Sequence, residues 1–499
     1  MKNIIIAIIM AALSSFIMVY LTIVTPLGPW IGPVLALCVV SLYKCGSSHC
    51  ALPVASGSIA GIIATAYGFS FPTFFFLDQT HFKIFMHNPY TAFFLMGAAI
   101  LSLGFFGLVW AWVCANYFLH SAEYNFPIGQ VIHTLLTTQE WVVKRMYLLM
   151  GACVAISYHV THYVLGIFGV LRFSACLPLL MSLGFVAGAA IAIPLVVGMV
   201  LQCLVIPVMH SSMFSYVSRH DFIFGFASGL VLSTFVAGLA EKFWTLKGSP
   251  FIFFKRTAMV QCVTYKDLLW IVGALVGVIS FFSYVGYPWY LQCYLIGSIV
   301  VATYSVVAIA GKVGMALLGR FATFVMAPAL FFFKRDPFLI MLIALSVEIV
   351  SGVAVDALFS YKVGQLSGIK RNKIFYYQLL GLCVAAVAIT GAVWFLIQRA
   401  ELGSELLFAQ RAQARALLIK AVAFDVQAVL CGVVVGYCLK RFKMHSLFVL
   451  SGVLMPLSLS IPLVMGSIIA FNEHQKKKYE MFACGIYAMS TVYIFLSLL

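Results

Sequence analysis

The chain is 499 residues long, 64% hydrophobic and only 9% charged, with a mean hydropathy of +1.08. That composition excludes a water-soluble globular domain, and long unbroken apolar runs exclude a transmembrane barrel, whose strands alternate polar and apolar residues. The 30 Lys and Arg against 14 Asp and Glu leave a formal net charge of +16. These basic residues cluster between apolar runs, where they orient helices and meet anionic lipid head groups, so nucleic acid is not an expected partner and membrane lipid is.

The expected fold is all-α: a polytopic helical membrane protein of roughly 13 to 16 spans, with two duplicated halves and broken or re-entrant helices. Met1-Lys2-Asn3 and the apolar run after it mimic a signal peptide, but the run continues to Leu21 and predicts an uncleaved first span. Further runs follow at 29–43, 54–76, 91–119 and 146–171. The run at 177–208 is long enough for one broken helix or two re-entrant pieces. After a run at 222–239 comes the longest polar connection, which carries Lys242, Lys247, Lys255, Arg256 and Lys266 and reads as cytoplasmic. It divides the chain into a transmembrane repeat at 1–245, a basic loop at 246–266 and a second transmembrane repeat at 267–499. The second half continues with runs at 268–284, 289–310, 321–333, 338–359, 374–397, 416–439, 446–471 and 482–499. Most of the 13 cysteines fall inside such runs, where they behave as small hydrophobes.

A repeat crosses the central loop. Gly184-Phe-Val-Ala-Gly188-Ala-Ala-Ile-Ala-Ile193-Pro194-Leu195-Val196-Val-Gly198 aligns without a gap on Gly452-Val-Leu-Met-Pro456-Leu-Ser-Leu-Ser-Ile461-Pro462-Leu463-Val464-Met-Gly466. A weaker echo pairs Asn125-Phe126-Pro127-Ile128-Gly129-Gln130 with Leu407-Phe408-Ala409-Gln410-Arg411-Ala412. Coincidence in Gly-rich apolar sequence competes with duplication, and the identical Ile-Pro-Leu-Val core favours duplication. Proline removes a backbone donor and glycine lets the chain bend. The pattern therefore predicts broken helices, interrupted at similar depth by Pro194 and Pro462, whose free ends face a cavity.

Charge inside the apolar runs marks candidate chemistry. Glu348 and Asp356 lie two turns apart, near one face of a predicted helix that ends in the basic turn Gly368-Ile-Lys370-Arg371-Asn-Lys373. An acid at that depth normally faces a bundle interior or wet cavity, where it serves a proton or a substrate ammonium. Glu348 is the expected proton carrier. Asp356, Tyr361 and Lys362 are expected to form a gate through an Asp356–Lys362 ion pair; pairing at the helix end is also the structural alternative for Asp356. Asp425 is either a second intramembrane acid or a local partner of Lys420 or Arg415, and Glu123 either caps the next helix or lines the substrate path. His120, His133, His159 and His162 read better as hydrogen-bonded residues than as metal ligands, and no metal site or cofactor is expected. Lys312 is expected to snorkel. Neither a nucleotide-binding loop nor a hydrolase motif occurs, so an enzyme is not expected and transport would run on an ion gradient or by facilitation.

The run Asp356-Ala-Leu-Phe-Ser-Tyr361-Lys362-Val-Gly364-Gln-Leu-Ser-Gly368-Ile-Lys370-Arg371-Asn-Lys373-Ile-Phe375-Tyr-Tyr-Gln378-Leu379-Leu-Gly381 resembles a signature of the oligopeptide transporter (OPT) family, which includes the yellow-stripe-like metal-chelate carriers. Phe126-Pro127-Ile128-Gly129 is similar to that family's Phe-Pro-Ser-Gly element, and the Gly184–Gly198 segment and Tyr20-Leu-Thr-Ile-Val-Thr25 resemble two others. Ile128, Gln130, Thr22 and Pro26 depart from the pattern, close to the expected path. The resemblance implies a proton-coupled symporter that imports small peptides by alternating access, or peptide-like metal chelates or siderophores. A membrane-embedded enzyme or channel is the alternative from another class. Charge in the apolar runs and the resemblance together give the expected substrate or proton path residues: Glu348, Asp356, Lys362, Tyr361, Glu123, Phe126, Pro127, Gly129, Gln378 and Asp425. The implied location is the plasma (inner) membrane of a bacterium.

Overall fold

The computed structural model describes residues 2–24, 28, 30–42, 50–121, 124, 126–137, 141–167, 177–187, 189–213, 219, 222–223, 225–227, 229–230, 232–233, 265–313, 316, 318–332, 336–404, 407–420, 426–442, 444, 446–454, 457–470, 479, 481–483, 485–487, 489–490 and 493. Within them the chain is helical and without strands. Eight of the described helices are long and apolar enough to cross a membrane. The protein is an all-α, multi-pass integral membrane protein. The connection at 246–264 lies outside the described residues.

The chain folds as two compact units. The first comprises Met1–Thr22, Leu27–Gln139 and Lys242–Gln398; the second comprises Ile23–Pro26, Glu140–Glu241 and Arg399–Leu499. Each therefore draws on both sides of the central connection.

In the first unit the helices are α1 (Lys2–Val24), α2 (Gly32–Leu42), α3 (Ala51–Ser70), α4 (Pro72–Leu77), α5 (Gln79–His87), α6 (Pro89–His120) and α7 (Pro127–Thr137). After the connection come α12 (Tyr265–Val285), α13 (Trp289–Val313), α14 (Leu318–Phe332), α15 (Pro337–Ser367) and α16 (Arg371–Arg399). Helix α15 is the axis of this unit, packed by α3, α6, α7, α13 and α14. Every residue from Ile340 to Tyr361 is buried, as is every residue of α3, which is apolar or small on all sides. Such helices belong at a bundle centre. Helix α12, by contrast, exposes Leu268, Leu269, Val272, Val276 and Ile279, an apolar surface suited to lipid.

Local sequence sets the ends of α15. The Asp336 carboxylate accepts hydrogen bonds from the amides of Phe338 (2.9 Å) and Leu339 (3.3 Å), and Pro337 occupies the first turn, where its missing donor costs nothing. At the other end Gly368 adopts φ +70°, and the Ile369 amide returns to the Gly364 carbonyl at 2.9 Å. The basic turn expected there is present.

In the second unit the helices are α8 (Trp141–Ile167), α9 (Leu177–Ala187), α10 (Ala189–Val200) and α11 (Ile206–Met213), then α17 (Gln410–Lys420), α18 (Val426–Arg441), α19 (Ser446–Leu454) and α20 (Leu457–Ile469). A π-helical turn at Leu201–Val205 joins α10 to α11. Helix α9 packs on α20, and α10 on α19. The aligned repeats meet through their glycines. A Cβ on Gly184 would strike the Leu463 carbonyl, and one on Gly452 would strike the Leu195 carbonyl. Swapping the two repeats exchanges these contacts, because Gly184 aligns with Gly452 and Leu463 with Leu195. The contacts of Gly198 with Val449 and of Gly466 with Met181 exchange in the same way.

Pro194 and Pro462 lie inside α10 and α20, not at a helix end. Each helix runs through its proline, which sits in the second turn and deprives it of one backbone hydrogen bond. Gly188 and Pro456 lie outside the described residues. The weaker echo also shifts by one residue. Phe126 (φ +49°) and Ala409 (φ +51°) both directly precede a helix, so Phe126 corresponds to Ala409 and not to Phe408.

Candidate transport site

Both intramembrane acids of α15 are buried, Glu348 fully and Asp356 to within 2%. Both turn toward α3. Ser70 Oγ donates to Glu348 Oε2 at 2.5 Å, and Ser58 Oγ donates to Asp356 Oδ1 at 2.5 Å. The spacing of the two acids keeps them within about 80° of one another around the helix, so one neighbouring helix serves both. Asp356 Oδ2 has no hydrogen-bond partner among the described residues.

The expected Asp356–Lys362 ion pair is not formed. Asp356 binds Ser58, while Lys362 Nζ lies 3.4 Å from Gln365 Oε1. Because α15 continues unbroken to Ser367, six residues of separation place the two side chains about 240° around the helix from zero, on different faces. Tyr361 is buried against Trp112, with ring centroids 6.3 Å apart, and its hydroxyl has no hydrogen-bond partner among the described residues.

The Phe126-Pro127-Gly129 element is brought to the same stretch of α15. Phe126 is buried, its amide donates to the Gly311 carbonyl at 2.8 Å, and its ring meets Phe359 at 5.9 Å. Pro127 begins α7, and Gly129 lets α7 approach closely: a Cβ there would lie 2.9 Å from the Phe359 carbonyl and 3.2 Å from Lys362 Cβ. Gln378 in α16 is fully buried, with neither amide atom hydrogen-bonded among the described residues. One turn further, Gly381 packs on the backbone of Ser56 in α3. Asp356 and the contacts of the Phe126 element at Phe359 and Lys362 thus lie within two turns of α15. Glu348 sits two turns away along it.

Glu123 and Asp425 lie outside the described residues. Gly184, Pro194, Gly198, Gly452, Pro462 and Gly466 belong to the second unit. There His159 is buried against Tyr493, with rings 4.1 Å apart and neither ring nitrogen hydrogen-bonded among the described residues. His133 Nδ1 lies 3.0 Å from Ser367 Oγ, a hydrogen bond joining α7 to α15.

Several residues of the site carry no mark in the sequence. Ser58 and Ser70 are two hydroxyls among several small residues of α3. At the end of the unit, Trp112 Nε1 donates to Asp267 Oδ1 at 2.8 Å, and the Arg371 guanidinium stacks on the Trp112 ring at 3.8 Å. Arg371 also donates to Asn116 Oδ1 at 3.0 Å. This cluster ties α6, α12 and α16 together beside Tyr361. Only the basic character of Arg371 was visible beforehand.

At a loop outside the spans, Asp78 Oδ2 approaches His81 Nδ1 at 2.7 Å, the one ion pair among the described residues. Asp78 also caps α5 by accepting from the His81 amide at 3.0 Å. That amide, and then the imidazole, hold the Asp78 carboxyl below its ordinary value; the carboxylate holds His81 above its own.

No curated protein matches the chain in a whole-sequence comparison. The sequence model of one family, described as OPT oligopeptide transporter protein, matches residues 255–491, which include α15, α16 and the Asp356–Gly381 signature. The stretch from residue 255 to residue 491 is accordingly similar to the oligopeptide transporter family.

Proposed function

We propose that the protein is a proton-coupled symporter that imports small oligopeptides by alternating access, with Glu348 as the proton carrier. The observation that carries this reading is the burial of two acids in the central membrane helix of a unit that has almost no other interior charge among the described residues. Ionisable groups are expensive in such a place and mark ion or substrate paths. The family match supports a peptide cargo. A buried carboxyl that accepts from a serine hydroxyl can take up and release a proton, which suits a carrier that must load and unload once per cycle.

The repeats of the second unit support alternating access. Duplicated halves let two arrangements of one scaffold exchange with little change in packing. Uptake into proteoliposomes with an imposed pH gradient tests the function, with dipeptides, tripeptides and ferric chelates as cargo. Peptide accumulation should follow the gradient. Glu348→Gln should still exchange labelled peptide across the membrane but lose uphill accumulation. Undiminished accumulation in the well-folded variant would remove Glu348 from the coupling step.

A further inference from the structure

A groove of about 280 Å³ lies between α6, α12 and α16 of the first unit. Among the described residues Ala274 and Leu382 form its buried floor and Leu101 and Cys383 its exposed edges, with Phe105 and Gly277 beside them. Ser102, which also lines it, donates its hydroxyl to the Ala98 carbonyl of its own helix at 2.7 Å, so the lining is apolar. Gly277 keeps the space open, for a Cβ there would meet nothing within 4 Å.

The same three helices carry a polar cluster: Trp112 and Asn116 of α6, Asp267 of α12 and Arg371 of α16. Aromatic contacts run from it to the groove. Trp112 meets Phe375 at 5.3 Å, Phe375 meets Trp270 at 5.9 Å, and Trp270 meets Phe105 at 5.8 Å. Measured along each helix, the groove begins about 10 Å from the cluster and ends about 18 Å from it. One leaflet supplies about 15 Å of hydrocarbon. The cluster therefore stands at head-group level, where exposed Trp270 and Tyr376 also belong, and the groove at the depth of acyl chains.

We propose that one acyl chain of an anionic phospholipid lies in this groove, with its phosphate held by Arg371. Arg371 stands on the same face of α16 as Leu382, since their separation brings the helix round to within about 20°. Stacking on Trp112 at 3.8 Å orients the guanidinium, and the bond to Asn116 Oδ1 at 3.0 Å uses one of its five N–H groups. The donors that remain suit two phosphate oxygens at once. Lys370 and Lys373, both exposed, add positive charge beside it, against the one carboxylate of the cluster, Asp267. That balance selects an anionic head group over a zwitterionic one. It also favours lipid over a helix from a second copy of the chain, which would not bring the negative charge.

The test places the full chain in proteoliposomes containing phosphatidylglycerol or phosphatidylcholine with a diazirine in one acyl chain. After photolysis, mass spectrometry maps the cross-links. At equal lipid concentration, the stretch 379–383 should be labelled about fivefold more, or better, by phosphatidylglycerol. Exposed Val301 of α13, remote from the basic turn in sequence, should be labelled equally by both. Gly277→Leu fills the groove in open space and should lower phosphatidylglycerol labelling of 379–383 about fivefold, with Val301 unchanged. Arg371→Gln should abolish the preference between the lipids. Should that variant loosen the cluster and fail to fold, Lys370→Gln combined with Lys373→Gln alters only exposed side chains and should still reduce the preference. Equal labelling of 379–383 by the two lipids in the unaltered protein overturns the proposal, as does labelling that Gly277→Leu leaves unchanged. A groove labelled by neither lipid, with Gly277→Cys forming a disulfide-linked dimer, overturns it in favour of a second copy.

Discussion

Ala409 pays for its position with backbone strain. Its φ of +51° is in the left-handed region that disfavours side chains, although its amide gains a bond to the Ile23 carbonyl at 2.6 Å. Ala409→Gly should stabilise the protein by up to about 1 kcal/mol, less whatever the glycine adds to unfolded-state freedom, measured as a rise in thermal midpoint. The Asp78–His81 pair yields a pH prediction. His81 is raised by its partner, so its contribution is complete below the ordinary imidazole value of 6.5 and is lost as pH rises through the higher folded value. Asp78 is lowered, so its contribution is complete above 3.8 and is lost as pH falls through the lower folded value. Protection factors of the α5 amides, exchange taken relative to the intrinsic rate at each pH, should be highest between those limits and fall on both sides. A flat profile would show that the pair does not hold the helix start. The acids were legible in sequence because charge is so scarce in the apolar runs. Their serine partners were not, since Ser58 and Ser70 become partners only when α3 crosses α15.

At the scale of an element, contact distance decides which glycines matter. Gly184 and Gly466 each face a carbonyl of the opposing helix, so Gly184→Ala forces α9 and α20 apart and should cost about 1–3 kcal/mol. Gly273 and Gly277 in α12 have nothing within 4 Å of a Cβ. Gly273→Ala should be neutral or stabilise by about 0.5–1 kcal/mol through helix propensity. Thermal unfolding in detergent, followed by the loss of the monodisperse species, distinguishes the two. Equal effects would mean that backbone approach does not set the packing. The repeat was visible because helix contact fixes glycine at particular positions, and glycine admits no substitute there. The lead given to proline failed because a proline early in a helix costs one bond without ending it. The Asp356–Lys362 pair failed for a different reason: the helix runs to Ser367 and ends at the basic turn as expected, but six residues along it carry the two side chains to different faces.

For the whole molecule, the composition and apolar runs made the all-helical, multi-pass class plain, but not the way the units draw on the chain. A division at 1–245 and 267–499 follows the duplication, whereas each compact unit takes segments from both halves. Non-local packing leaves no mark in a single sequence. Separate polypeptides 1–245 and 246–499 should therefore be degraded when expressed alone and should restore peptide uptake when expressed together. Pulse-chase half-lives give the measurement. A long-lived 1–245 fragment would show that the first half builds a complete core by itself.

The burial of α3 by α15 also has a consequence in time. The ribosome completes α3 at Ser70, yet α15 begins only at Pro337. At ordinary elongation rates the interval is on the order of tens of seconds. Throughout it Ser58 and Ser70 lack their acids, and the nascent helix must wait in the bilayer or beside the insertion machinery. Slowing translation across the central connection should lengthen that exposure and lower the yield of finished protein, even though no amino acid has changed.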